Sequence, residues 1–101
     1  MSLDELRSQL DTIDNQMMTL LSQRAALIIQ VAELKKHHDI PVHVPERENA
    51  IMARLRSLNP GPLKGDAIER IYRTIIDEMR KFEDEHIVHE ASFGESHPAR
   101  D

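Results

Sequence analysis

Cysteine, tryptophan and long apolar runs are all missing from this sequence of 101 residues. Without cysteine the chain has neither a disulfide framework nor a thiol nucleophile. No apolar run approaches the roughly 20 residues that are needed to span a bilayer. Aromatic residues make up only 3% and strand signals are nearly absent, whereas Leu, Ile, Met and Ala abound beside 31% charged residues. This mixture favours helices over strands, so the composition predicts an all-α protein.

Positive charge is also in short supply. The net charge is -5, because the chain has 13 Lys and Arg residues and 18 Asp and Glu residues. This balance argues against a general nucleic-acid surface, although a few well-placed cations could still hold a small anion. The first residues, MSLDELRSQL, carry acids where a secretory signal carries bases. We therefore expect a cytoplasmic protein that binds neither nucleic acid nor membrane.

The first helix is predicted over residues 3 to 36. Ser2 and Glu5 have the spacing of a capping box, and nothing breaks the pattern before Ile40-Pro41. Apolar residues recur at alternating steps of three and four, the seam of a helix that packs on another helix. The seam consists of Leu3, Leu6, Leu10, Ile13, Met17, Leu20, Leu27, Val31 and Leu34. The same spacing predicts an apolar residue at position 24, but the sequence has an arginine there.

Two further helices complete the prediction. The second begins near Pro45, a favoured first-turn residue, and ends at Leu58 before the breaker Asn-Pro-Gly-Pro. The third runs from Leu63 or Asp66 to Glu85. Its inward face is predicted to consist of Ile68, Ile71, Tyr72, Ile75, Met79 and Phe82. We expect a helical domain over residues 1–89 and a disordered tail or linker over residues 90–101.

The length of the first helix indicates a partner. Residues 3 to 36 would extend about 51 Å, whereas a compact chain of this size has a radius of gyration of about 13 Å. Two shorter helices cannot cover both ends of such a seam, so we expect an intertwined homodimer with antiparallel long helices. The alternative is a long coiled coil without other function, which the arginine in the seam and the two further helices argue against.

Cations on the first helix point to an anionic ligand. An unpaired Arg24 in the seam would cost several kcal/mol, so an anion is expected to meet it. Lys35 lies three turns on and only about 20° round the helix, so it faces the same way. In an antiparallel dimer that crosses near residue 18 or 19, the partner's Arg7 would arrive between them. The alternative for Arg7 is a surface pair with Asp4 or Asp11.

Three more charged residues are candidates for the same site. Glu83 follows an apolar row of the third helix, where a carboxyl is expected to favour its neutral, hydrogen-donating form. Its alternative is an exposed place at the helix end beside Arg80 or Lys81. Arg47 and Glu48 open the second helix, where free backbone N–H groups favour anions. Their alternative is an ordinary surface arginine and a first-turn glutamate.

Four segments of this chain resemble one family. LRSQLDTID, LLSQRAALIIQVAELK, PVHVPERE and IIDEMRKFE look like segments of the all-helical, AroQ-type chorismate mutases, over about residues 3 to 85. PVHVPERE followed by NPGPL is especially similar to the mutase domain of bifunctional chorismate mutase/prephenate dehydratase proteins. The resemblance implies an intertwined dimer with two composite sites, and rearrangement of chorismate to prephenate without a cofactor or metal.

The resemblance also implies a role for each charged residue. Arg24 and the partner's Arg7 would bind the substrate carboxylates, and Arg47 would support one of them. Lys35 and Glu83 would bond the ether oxygen as the catalytic pair. Glu48 would accept from the ring hydroxyl.

Two positions differ from some family members. Val44 stands where an Asp often occurs, and Met79 where a small and often polar residue does. Both would line the substrate site, and a backbone N–H could replace the missing side chain at Val44.

Other functions fit parts of the same pattern. An isochorismate-pyruvate lyase shares this fold and most of the cations, although an apolar residue tends to replace Glu48 in that class. A non-catalytic regulatory module of a shikimate-pathway enzyme is a second alternative. His86 and His89 have a spacing that could suit a metal, but the sequence offers no third ligand.

Overall fold

Three α-helices make up the described part of the chain. The computed structural model describes residues 1–96, and it describes side chains for residues 1–87. The helices are α1 (Leu3–His37), α2 (Pro45–Leu58) and α3 (Gly65–Ser96). Residues 1–96 contain no strand, so the all-α prediction is confirmed.

The ends of α1 are fixed by local hydrogen bonds. The Glu5 backbone N–H donates to Ser2 Oγ at 3.1 Å, and the Ser2 N–H donates to Glu5 Oε1 at 2.8 Å. These bonds form the predicted capping box, and they lower the pKa of Glu5. At the other end the His38 N–H donates to the Leu34 carbonyl. Asp39 then takes a φ of 57°, the left-handed conformation that Asp tolerates better than most residues, and the helix ends.

The turn between α2 and α3 is held by one side chain. Asn59 Nδ2 donates to the Leu63 carbonyl at 2.7 Å, and Asn59 Oδ1 accepts from the Gly61 N–H at 3.0 Å. Gly61 has a φ of 77°, a conformation that favours glycine. The predicted breaker therefore ends α2 at the predicted residue, Leu58.

The third helix runs further than the sequence pattern predicted. It continues past the predicted end at Glu85 to Ser96, because no proline interrupts this stretch and backbone hydrogen bonds need no apolar period. Residues 97–101 lie outside the described residues. The division of the chain into residues 1–89 and a tail over residues 90–101 stays a prediction.

The core is small and lies where α3 packs against the other two helices. Ile51 and Met52 of α2 and Ile76 of α3 are buried, and Leu55 and Tyr72 pack against them. On α1 only Ala32 is buried. The core therefore lies against the C-terminal half of α1, and residues 3–20 of this helix are exposed.

The predicted seam of α1 is exposed within this chain. Five of its leucines keep 57–62% of their surface, namely Leu3, Leu10, Leu20, Leu27 and Leu34. The chain is 58 Å long with a radius of gyration of 17.8 Å, well above the value of about 13 Å for a compact chain. No described part of the same chain covers this seam.

The inward face predicted for α3 is only partly correct. Ile71 and Phe82 were expected inside, but they are 49% and 37% exposed. A helix packed against two others buries the sides that face them, and these two side chains lie outside both contacts.

None of the described helices is long and apolar enough to cross a membrane.

Arg56 joins the end of α2 to the start of α3. Its Nη2 donates to Asp66 Oδ1 at 2.7 Å and also to Glu69 Oε1. The hydrogen bond from Arg56 lowers the pKa of Asp66, and the bonds to Asp66 and Glu69 raise the pKa of Arg56. A Cβ at Gly65 would lie 2.8 Å from Arg56 Nη1, so glycine leaves room for the guanidinium.

We expect Arg56→Met to lower the urea midpoint of unfolding near neutral pH. Because the pKa of Asp66 in the folded chain lies below its ordinary value of 3.8, this pair stabilises the fold above that value. The stabilisation is lost as pH falls through the folded pKa. The measurement is the difference in midpoint between wild type and variant across the acid range. Arg54→Met, on the exposed side of α2, is the control, and a difference that stays constant down to low pH would contradict the expectation.

Candidate active site

A charged cleft lies between the C-terminal half of α1, the start of α2 and the middle of α3. Its volume is about 210 Å³. Its charged lining consists of Arg24, Lys35, Arg47, Glu48, Arg80 and Glu83. Its apolar lining consists of Ile28, Val31, Val42, Val44, Ile51, Ile76 and Met79. Four cations against two carboxylates leave a formal excess of two positive charges, so the cleft suits an anion.

Lys35 is the best fixed of these cations. Its Nζ donates to the Val42 carbonyl at 2.8 Å and lies 2.9 Å from Glu83 Oε2. The side chain is only 15% exposed. Lys35 therefore connects α1 both to α3 and to the loop that precedes α2.

Glu83 is buried at the base of the cleft, with a relative exposure of 4%. Its Oε2 forms an ion pair with Lys35 Nζ at 2.9 Å and has no hydrogen bond to a described residue. The alternative of an exposed Glu83 beside Arg80 or Lys81 is wrong. A buried carboxyl oxygen without a hydrogen bond marks a place where a ligand could bond.

Arg24 and Arg47 bring two more cations to the cleft from different helices. Arg24 is half-buried, and its Cζ lies 5.7 Å from the centre of the Tyr72 ring, a cation–π contact. Arg47 is exposed in the first turn of α2. The α1 and α2 backbones thus place two guanidinium groups at one cleft, as expected for a ligand with more than one carboxylate.

Glu48 lies on the same turn as Arg47 but has partners of its own. Its Oε1 accepts from Arg73 Nη1 at 3.2 Å, and its Oε2 accepts from Arg80 Nη1 at 3.1 Å. The Glu48 side chain is 13% exposed. Glu48 is a first-turn glutamate, as its alternative had it, but its carboxylate is mostly buried and bonded by two arginines.

The two unusual positions also line the cleft. Val44 is the N-cap residue of α2 and makes no side-chain hydrogen bond. Met79 is half-buried one turn before Glu83. Both add apolar surface beside the charged groups.

Arg7 is the one predicted site residue that this chain does not bring to the cleft. It lies in the exposed N-terminal half of α1, about 25 Å along the helix axis from Arg24. A role for Arg7 at this cleft requires a second chain.

Sequence reasoning missed Arg80 and the Val42 carbonyl. Arg80 was considered only as a surface partner of Glu83, yet it lines the cleft and bonds Glu48 from 32 residues away. No local pattern joins two residues that are so distant in sequence. The prolines of PVHVPERE were the available signal for a fixed loop at Val42.

Fold and site together define a helical protein with a positively charged cleft. Comparison with known proteins gives the family. The chorismate mutase type II family matches residues 6–84. The chain therefore belongs to that family, and the resemblance seen in the sequence is confirmed.

Similar proteins include a bifunctional protein and a chorismate mutase. The bifunctional chorismate mutase/prephenate dehydratase of Aquifex aeolicus is 40% identical over 78 residues, which are 73% of this chain and 22% of that protein. The chorismate mutase of Methanocaldococcus jannaschii is 43% identical over 56 residues, 55% of this chain and 57% of that one. This chain thus spans less than a quarter of the Aquifex protein.

Solved structures share the fold over most of the chain. Form II of the chorismate mutase from Thermus thermophilus has a TM-score of 0.80 and 27% identity, covering 81% of this chain and 93% of that one. The chorismate mutase from Helicobacter pylori in complex with prephenate has a TM-score of 0.78 and 28% identity, covering 84% of this chain and 92% of that one.

Proposed function

We propose that this chain catalyses the rearrangement of chorismate to prephenate, a step toward phenylalanine and tyrosine. The observation that carries the proposal is the cleft of a chorismate mutase family member, in which three arginines line the same cleft as a buried lysine–glutamate pair. Chorismate carries two carboxylates and an enolpyruvyl ether. A cytoplasmic location stays a prediction.

The reaction needs no nucleophile from the protein. Within one molecule the ether C–O bond breaks while a new C–C bond forms, so the substrate supplies every reacting atom. A catalyst has to select the folded conformer and to stabilise negative charge that develops on the ether oxygen. The cleft offers groups for both tasks.

The carboxylates of the substrate would bind at the arginines. Arg24 and Arg47 line the cleft from two helices, and guanidinium groups bind carboxylates through paired hydrogen bonds. The partner's Arg7 would contribute a third guanidinium. Val44 and Met79 would pack against the ring and exclude water.

Lys35 and Glu83 would act on the ether oxygen. Lys35 Nζ is fixed by the Val42 carbonyl, and Glu83 Oε2 has an open hydrogen-bonding position beside it. The ammonium would stabilise the developing charge, and the neutral carboxyl form of Glu83 would donate a second hydrogen bond in place of its ion pair with Lys35. Donors fixed before reaction need no rearrangement in the transition state.

We expect Lys35→Ala to lower kcat by about 100- to 1,000-fold, because it removes a charge that acts in the transition state. The measurement is the loss of chorismate absorbance at saturating substrate. Lys36→Ala, at the next and exposed position of α1, is the matched control and should keep its turnover. Near-normal kcat in Lys35→Ala would refute the assignment.

Glu83→Gln should keep more activity than Glu83→Leu. The Gln amide can donate a hydrogen bond to the ether oxygen, whereas the Leu side chain cannot. The measurement is kcat for loss of chorismate at saturating substrate. Equal losses of kcat in the two variants would remove hydrogen-bond donation at position 83 from the mechanism.

We also propose that two chains form an antiparallel dimer with composite sites. The exposed seam of α1 supports this, because apolar side chains along its whole length have no cover within the described chain. Residues 3–20 of α1, which include Arg7, are all exposed within this chain. A second copy would cover the seam and bring Arg7 to the cleft of its partner.

Mixing two inactive variants would test the composite site. Arg7→Ala and Arg24→Ala chains, unfolded together and refolded at equal amounts, should form mixed dimers in half of the cases. Each mixed dimer has one intact site, so about a quarter of the wild-type activity should return. The wild-type mass in solution should be twice the chain mass of 11.7 kDa. Absence of recovered activity, or a monomeric wild type, would contradict the dimer.

A direct product assay separates the mutase from its alternatives. Prephenate formed from chorismate supports the proposal, whereas pyruvate formed from isochorismate would indicate a lyase. Absence of turnover with either compound would indicate a binding module. Glu48 in the cleft favours the mutase, because a carboxylate there can accept from the ring hydroxyl of chorismate.

A further inference from the structure

Basic side chains hold both carboxylate oxygens of Glu48. Arg73 of α3 donates to Oε1 at 3.2 Å, and Arg80 of α3 donates to Oε2 at 3.1 Å. His43, in the loop before α2, places Nε2 3.5 Å from Oε1. The two arginines are two turns apart on one helix, so they reach the carboxylate from the same side.

Arg80 itself is held between two carboxylates. Its Nη2 donates to Asp77 Oδ1 at 3.1 Å, while Nη1 bonds Glu48. Arg80 lines the cleft and its side chain is 32% exposed. Because both terminal nitrogens already bond carboxylates, this guanidinium is poorly placed to bind a substrate carboxylate as Arg24 would.

We infer that Arg80 is a positioning residue that fixes Glu48 as the acceptor for the ring hydroxyl of the substrate. This rests on the proposed function. A carboxylate oxygen has two lone-pair positions, and each arginine takes one. Oε1 also has His43 Nε2 at 3.5 Å, so the more open oxygen is Oε2, which Arg80 bonds. The geometry of Arg80 therefore decides where the open position of Oε2 points.

This arrangement selects substrates by where their hydroxyl lies. A ring hydroxyl that meets the open position of Glu48 gains a charge-assisted hydrogen bond. A ring isomer with its hydroxyl elsewhere leaves a mostly buried carboxylate without that bond, which is costly. Arg80 therefore contributes to the choice between chorismate and isochorismate without touching either one.

A double-mutant cycle tests the inference. Arg80→Met should lower kcat/KM for chorismate by about 10-fold or more, mainly through a higher KM, because it weakens hydroxyl binding in both ground and transition states. Glu48→Ala should cost at least as much. If Arg80 acts through Glu48, then adding Arg80→Met to Glu48→Ala should cost little more.

Lys81→Met is the matched control. Lys81 is the next residue of α3, pairs with Glu78 three residues before it as Arg80 pairs with Asp77, and is exposed away from the cleft. Its loss should leave both kcat and KM unchanged. Arg80→Lys keeps one charge near Glu48 and should recover part of the KM, which a purely structural defect would not do. If Arg80→Met does not fold, Arg80→Lys takes its place in the double-mutant cycle.

Each outcome has a distinct meaning. Losses that multiply in the double variant, or a wild-type kcat/KM in Arg80→Met, would overturn the inference while the mutase function stands. A kcat loss as large as that of Lys35→Ala with an unchanged KM would also overturn it. A wild-type protein that does not convert chorismate would overturn the proposed function, and the inference with it.

Discussion

The ion pair between Lys35 and Glu83 is the contact on which the rest of the site depends. It joins α1 to α3 across the cleft, and the hydrogen bond from Lys35 to the Val42 carbonyl adds the loop that leads into α2. Burying two charges is costly unless they are paired and hydrogen-bonded. Here the pairing is present but Glu83 Oε2 lacks a hydrogen bond among the described residues. The open position is where a ligand would add stability.

The same helix carries both the charges of the site and the surface for assembly. Lys35 and Arg24 of α1 line the cleft, whereas leucines on the exposed seam find no partner within the chain. In the proposed dimer, association of the two chains would both cover that seam and bring the partner's Arg7 to the cleft. Activity of such a protein would depend on association, since neither chain alone holds every cation.

The contacts of Glu48 show how side chains of a short chain can fix the position of a carboxylate in the cleft. Arg73 and Arg80 on α3 fix a carboxylate that α2 supplies, and Asp77 fixes Arg80 in turn. The carboxylate proposed to orient the substrate is therefore itself oriented by neighbours. Such support is what keeps an acceptor within the narrow geometry that discrimination between similar substrates requires.

The sequence by itself determined the helices, since capping, apolar periodicity and chain breakers act over a few residues. The start of α1 at Ser2 and the span of α2 from Pro45 to Leu58 agree with the prediction. Glu83 was also found from the sequence because it lies on an apolar row, and Lys35 because it faces the same way as Arg24, the charge in the apolar seam. Only the tertiary structure decided that Arg80 meets Glu48, because contacts between distant residues depend on how helices cross, which no local pattern encodes.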